Sequence, residues 1–305
     1  MKLYVNRQPR SGPWGGGNLW VAAFHKRAPT LPNVELLTDE ALNFSPDVCL
    51  LAGLDNDGTG ISVDQAVMHQ LYQAPNMKIV LRVNENDARK GTRHMDALLL
   101  KVAPHVSATV FVSHWLQDYF NAKGWACKEQ AVIVNGCAAD IFAPQPKLNN
   151  GKLNIVAHHW SSHEMKGADI YQKLDRLVGE QPDKFAFTYI GRHECDFRHT
   201  NVIRPTFGKD LGAELGKHDV YVSASRFDPG PNHVLESLSC GLPTYVHKDG
   251  GGCVEFAGAD HSYKNWDELK AILNGPLAPN TAMTPTGWLP CVQQYVTYLE
   301  HVLQA

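Results

Sequence analysis

The chain of 305 residues has no excess of either charge: 28 Lys and Arg stand against 31 Asp and Glu, a formal net charge of -3. Nothing in that balance argues for a nucleic-acid partner. It also has no CxxC pair. The seven cysteines, Cys49, Cys127, Cys137, Cys195, Cys240, Cys253 and Cys291, are scattered and form no even framework, so reduced thiols in a cytoplasmic setting are the economical expectation. No apolar run approaches a membrane span. The opening MKLYVNRQPR is read as a short apolar strand followed by polar residues, without the apolar core of a signal peptide. Internal repeats and low-complexity tracts are also missing. What is present is an ordinary mixture, 44% hydrophobic and 19% charged, enough for one large or two medium domains with buried cores.

Short β-branched runs alternate with longer amphipathic stretches. Strands are expected at Lys2–Asn6, Asp47–Leu54, Lys78–Asn84, Ala108–Ser113 and Ala131–Asn135, then at Leu153–His159, Phe185–Gly191, Asp219–Ser225 and Leu242–His247. Helices are expected between them at Ser62–Gln73, Thr92–Val102, Trp115–Ala122 and Gly167–Val178. This alternation predicts an α/β fold with largely parallel sheets. The Pro-, Asn- and Gly-rich stretch Ala143–Gly151 reads as a linker between two Rossmann-like domains, 1–145 and 152–287, facing across a ligand cleft. The tail 288–305 is expected to form a helix that packs back across the junction.

Three loops invite a functional reading beside a structural one. Gly15, Gly16 and Gly17 follow the first strand, where backbone can approach a ligand closely, although a tight turn explains them too. Their spacing is not GxGxxG, and only Glu35 or Asp39 offers an acid for a dinucleotide ribose, so a nicotinamide fold loses support. Asn84, Glu85, Asn86 and Asp87 crowd a strand's carboxyl end, as active-site residues do or as an Asx-type turn capping the next helix would. Arg89, Lys90 and Arg93 then form either a solvated helix face or a patch for an anionic acceptor or a lipid surface. In AHHWSSHEMKG, His158 and His159 are adjacent and point to opposite faces of a strand, which argues against a metal site completed by His163. Lys166, before Gly167 at a helix start, is placed to meet a phosphate as a point charge, or is an ordinary surface lysine.

The most constrained stretch is FDPGPNHVLESLSCGLP, Phe227 to Pro243. A strand leads through a Pro-Gly-Pro turn at Pro229–Pro231 into a helix over Asn232–Ser239, stopped by Gly241 and Pro243. The helix tip at Asn232 and His233 offers unpaired N–H groups and positive dipole to an anion. Glu236, on the same face, can accept hydrogen bonds from the two adjacent hydroxyls of a ribose, and Asp228 in the preceding loop faces what lies beyond a diphosphate. The plainer alternative makes Glu236 a dipole partner and Asp228 a turn cap.

At these residues the sequence resembles the retaining, GT-B-fold glycosyltransferases of family 4. Asp228 stands in the first acidic position of their Glu, seven residues, Glu signature, Glu236 in the second, and SLSCGLPTYVHKDGGGCVEF follows the pattern. VNGCAADIFAP, FVSHWLQDYF and GPWGGGN are similar to other family segments, so the resemblance covers most of the chain. It implies a donor site in which Glu236 holds the ribose, Lys166 and the Gly15–Gly17 loop the diphosphate, and Pro231, Asn232 and His233 a phosphate through the helix tip. Asp228 would contact the transferred sugar. The family commonly has an Arg shortly before the lysine, where this chain offers His159, Ser161 and His163, and a His where Asn84 stands.

The resulting expectation is a cytoplasmic, metal-independent, retaining glycosyltransferase with Asn84, Asp228 and Lys166 as its catalytic set. It needs no cofactor beyond a nucleotide-diphosphate sugar as donor substrate. The acceptor, whether glycan, lipid-linked sugar or another molecule, is open, as is the donor base. Peripheral membrane contact is expected only through Arg89, Lys90 and Arg93. Two rivals stand beside this reading: a sugar-nucleotide epimerase drawing on Glu85, Asp87 and His25, and a non-catalytic sugar-nucleotide-binding protein.

Overall fold

The computed structural model describes residues 1–12, 15–37, 45–54 and 60–305. Pro13 and Trp14 of the glycine loop, and Asp39, lie outside them. In chain order the elements are β1 (Lys2–Val5), α1 (Gly16–Arg27), β2 (Glu35–Leu37), β3 (Val48–Leu51), α2 (Val63–Tyr72), β4 (Lys78–Val83), α3 (Asp87–Lys90), α4 (Met95–Val102), β5 (Ala108–Phe111), α5 (His114–Asn121) and β6 (Gln130–Val132). They continue with β7 (Leu153–His159), α6 (Ala168–Glu180), β8 (Phe185–Gly191), β9 (Asn201–Ile203), α7 (Gly208–Gly216), β10 (Val220–Ser223), α8 (Asn232–Ser239), β11 (Thr244–His247), α9 (Gly252–Ala257), β12 (Ser262–Tyr263), α10 (Trp266–Asn274) and α11 (Trp288–Gln304).

The chain divides into two compact units, Met1–Asp87 with Thr92–Gly136 and Trp288–Ala305, and Ala88–Gly91 with Cys137–Gly287. Each is built on a six-stranded sheet, ordered β2-β1-β3-β4-β5-β6 and β12-β11-β10-β7-β8-β9, in which every neighbouring pair is parallel. Parallel strands covered by helices on both faces read as continuous apolar runs, and VCLL of β3 and ATVF of β5 are buried throughout. The strands that periodicity did not predict, β2, β9 and β12, are edge strands of two or three residues, too short to carry a pattern.

Helix starts are set by local chemistry. Ser62 accepts from the Gln65 N–H while Gln65 Oε1 takes the Ser62 N–H, a reciprocal cap on α2. Ser113 and Asn265 cap α5 and α10. In the first unit α11 packs beside α1 through Trp20, Phe24 and Tyr295, with Trp20 5.0 Å from Phe24 and 5.1 Å from Tyr295 between ring centroids. In the second unit, residues 143–151 run along α7: Leu148 N–H donates to Lys217 O at 2.9 Å and Lys147 Nζ to Gly216 O at 3.1 Å. No helix among the described residues is long and apolar enough to cross a membrane.

In each sheet the chain reverses its direction of travel once, between β1 and β3 and between β7 and β10. Loops at the carboxyl ends of such strand pairs diverge, and that is where open α/β sheets receive ligands.

Candidate functional site

In the second unit the reversal lies beside the stretch that the sequence singled out. β7 ends at His159, and a turn returns the chain through Lys166 to Gly167. Gly167 has φ 84, and a Cβ there would collide with the Cβ and backbone of Ala224. Glycine therefore lets the segment after β10 press against the start of α6. That approach puts Lys166 Nζ 2.8 Å from Asp228 Oδ2 and 3.4 Å from Ser225 Oγ.

Asp228 is fixed from both sides. Its N–H donates to Gly250 O at 3.1 Å, and its carbonyl accepts from Gly252 N–H at 2.8 Å. Phe227 before it holds a left-handed φ of 54. Arg89 Nε lies 3.8 Å from the same carboxylate oxygen as Lys166. Burial alone would raise the Asp228 carboxyl, but Arg89 and Lys166 outweigh it and hold it well below the usual carboxylate range. Burial lowers Lys166 and Asp228 partly restores it. His163 is pushed down to about 4, first by burial and then by the charges of Lys166 and Arg89.

α8 starts at Asn232 with Pro231 as its cap residue and no side-chain cap. Pro231 O accepts from Val234 and Leu235 N–H at 3.1 and 3.3 Å, and the first turn carries no acid. No carboxylate in the first turn therefore offsets the positive end of the helix dipole. The His233 side chain is buried beneath it, with Nε2 2.8 Å from Ser223 Oγ, so only its backbone can serve a ligand. Glu236 lies one turn along, and its Oε2 is 2.7 Å from His158 Nε2.

The three histidines of AHHWSSHEMKG go to different places. His158 meets Glu236, His159 Nε2 meets Tyr171 OH at 2.6 Å, and His163 stays near the Lys166 and Arg89 charges. Two partnerships escaped sequence reasoning. The sequence offers His158 only as a metal-ligand candidate and Arg89 only within a basic cluster, because each finds its carboxylate across many residues of chain. Lys90 and Arg93 are exposed.

In the first unit Gly15, at φ 77, caps α1, and Gly16 and Gly17 open the helix. A Cβ on Gly17 would lie 3.5 Å from Asn84 Nδ2, so glycine loop and Asn84 are neighbours. Asp87 takes the capping option: its Oδ1 accepts from Met95 N–H and its Oδ2 from Asp96 N–H, both at 3.0 Å, and Thr92 Oγ1 also donates to it. Burial pulls its carboxyl upward, and these bonds bring it below its ordinary value. His25 Nε2 is 2.9 Å from Arg7 O. Both side chains thus have structural partners that the epimerase reading would have to displace.

No family model and no curated protein matches this chain. Solved structures do. The chain is similar to Anabaena HepE in complex with UDP and glucose, at 14% identity and TM-score 0.67, with 100% of this chain and 98% of that one covered. It is similar to sucrose-phosphate synthase from Thermosynechococcus elongatus, at 11% identity and TM-score 0.61, with coverage of 100% and 96%. It is similar over 87% of its length to 58% of the pneumococcal O-GlcNAc transferase GtfA in complex with UDP and GlcNAc, at 12% identity and TM-score 0.55. At such identities the likeness is one of architecture. The chain has the GT-B fold, two Rossmann-like units each on a six-stranded parallel sheet.

Proposed function

We propose that the protein is a glycosyltransferase that moves a sugar from a nucleotide-diphosphate sugar to an acceptor, with retention of anomeric configuration and without a metal ion. The observation that carries this reading is the buried Lys166–Asp228 pair, 2.8 Å apart, in the same unit as the uncapped tip of α8 and Glu236 on that helix. HepE and GtfA, which share the fold, were solved with UDP bound. Lysine has three N–H donors. Asp228 and Ser225 engage two of them, which leaves the third for a phosphate oxygen.

In the proposed reaction the bond from the anomeric carbon to the diphosphate oxygen breaks. The acceptor oxygen bonds to that carbon on the same face, and its proton passes to the departing diphosphate. Lys166 and the N–H groups at the tip of α8 stabilise the charge that develops on the leaving group, the role that makes a metal dispensable. Asp228 orients the transferred sugar, and Glu236 accepts from the ribose hydroxyls. In the first unit the same reading gives donor-handling roles to Gly15–Gly17 and Asn84. The acceptor and the donor base are to be found by experiment.

Thermal unfolding against UDP, GDP, ADP and their sugars tests the donor half. A ligand at about a hundred times its dissociation constant should stabilise the protein by roughly 2.7 kcal/mol, and Glu236→Ala should lose the effect. Stabilisation by none of them would sink the assignment. With the base known, product analysis across acceptors in the presence of a chelator tests transfer, anomeric outcome and metal independence together. Conversion of the nucleotide sugar without acceptor would mark an epimerase, and binding without turnover a sugar-nucleotide-binding protein.

A further inference from the structure

The proposed chemistry leaves one close contact in the second unit unused. His158 Nε2 lies 2.7 Å from Glu236 Oε2, with the two side chains only 9% and 12% exposed. The other ring nitrogen, Nδ1, is buried with no hydrogen-bond partner. Among the described residues the ring's one hydrogen-bond contact, whichever tautomer is present, is with Glu236.

The imidazole has little freedom. Tyr221 OH accepts from His158 N–H and donates to His158 O, both at 3.2 Å, which pins the backbone at the end of β7. The ring stands edge-on to Tyr221 and His233, with centroids 5.5 and 6.2 Å away. Glu236, by contrast, is a long side chain, and such a side chain gives up much rotamer freedom when it must meet a ligand in one geometry. A rigid donor on one oxygen removes that freedom before binding and leaves Oε1 and a lone pair of Oε2 for a ligand.

We infer that His158 is a positioning residue: it sets the Glu236 carboxylate for the vicinal hydroxyls of a ribose, and so makes the site prefer ribonucleoside over 2′-deoxyribonucleoside diphosphates. This rests on the nucleotide-binding reading of the same helix. A purely structural His158–Glu236 contact would weaken binding of both kinds of ligand alike when removed. A positioning contact changes their ratio.

The test is calorimetric titration of the full chain with UDP, GDP and ADP and with their 2′-deoxy counterparts. A hydrogen bond to a charged carboxylate discriminates by about tenfold or more, and the wild type should show that preference with the base it accepts. His158→Leu should bring the ratio close to one. His158→Gln, whose amide N–H can span the same gap, should restore most of it, whereas His158→Asn, polar but too short, should behave like leucine. In a Glu236→Gln background, His158→Leu should change the ratio no further. A folded His158→Leu or His158→Asn protein that keeps the wild-type ratio overturns the inference, as does a wild type that binds both forms equally. If no nucleoside diphosphate binds the wild type at all, the underlying site assignment has failed, a result distinct from binding without discrimination.

Discussion

The two units each bury a cation near the carboxyl ends of their strands, and they treat it in opposite ways. Arg82 of the first unit is 2% exposed and Lys166 of the second 7%. Arg82 has neutral company: Nε donates to Tyr295 OH at 3.1 Å, Nη2 donates to Asn135 Oδ1 at 2.9 Å, and the guanidinium lies 4.5 Å from the centroid of the Trp20 ring. It ties β4 to α11 and carries no carboxylate partner among the described residues. Lys166 faces a carboxylate at 2.8 Å that a second cation, Arg89, also approaches at 3.8 Å. Lys166 and Arg89 thus both act on the one Asp228 carboxylate. A buried cation among neutral groups works as a clamp, whereas one in a charged cluster depends on its carboxylate partner, and under the proposed function that cluster is also the donor site.

The largest expected effect breaks the charged side of that comparison. Lys166→Met strands the Asp228 carboxylate in a buried place and should cost about 3–5 kcal/mol in urea denaturation. The double variant Lys166→Met, Asp228→Leu should recover most of that loss, to within about 1 kcal/mol of the wild type, since neither member of the 2.8 Å pair is left buried without the other, yet be inactive. A double variant as unstable as the single one would refute this account of the pair. Arg82→Met should cost less, about 1–2 kcal/mol, because it leaves neutral groups unpaired while relieving a buried charge. An Arg82 cost equal to that of Lys166 would erase the distinction between clamp and ion pair.

The smallest effect concerns protons. His163 titrates at about 4 in the folded chain, against an ordinary histidine value near 6.5, because burial and the Lys166 and Arg89 charges disfavour its charged form. Between those values the unfolded chain binds more protons, so stability rises with pH and is lost as pH falls from about 6.5 toward 4. Buried His159 and His233 shift in the same direction. Denaturation midpoints should therefore be lower at about pH 5.5 than at about pH 7.5, and His163→Asn should flatten the difference. A midpoint independent of pH would show that the charged cluster does not act on its histidines.

Much of this was legible in the chain itself. β7, β8 and α8 begin and end where their sequence says, since long β-branched runs and a Pro-Gly turn followed by a Gly-Leu-Pro stop carry their own boundaries. The edge strands β2, β9 and β12 were not legible. Two or three residues hold no period, and their pairing is supplied by the neighbouring strand. The partners of the candidate residues were not legible: Asp87 spends its carboxylate on capping α4, and the basic cluster splits, with Arg89 turning to Asp228 while Lys90 and Arg93 stay exposed.

The sequence by itself determined the longer central strands and several of the helices between them, where glycine is needed, and which residue types gather at strand ends, because propensity, turn chemistry and hydrophobic period act over a few residues. Only the tertiary structure decided that Lys166 meets Asp228 and that His158 meets Glu236. Those pairs lie 62 and 78 residues apart in the chain. Strand order in a parallel sheet brings them together, and their electrostatics exist only once burial has removed the water between them.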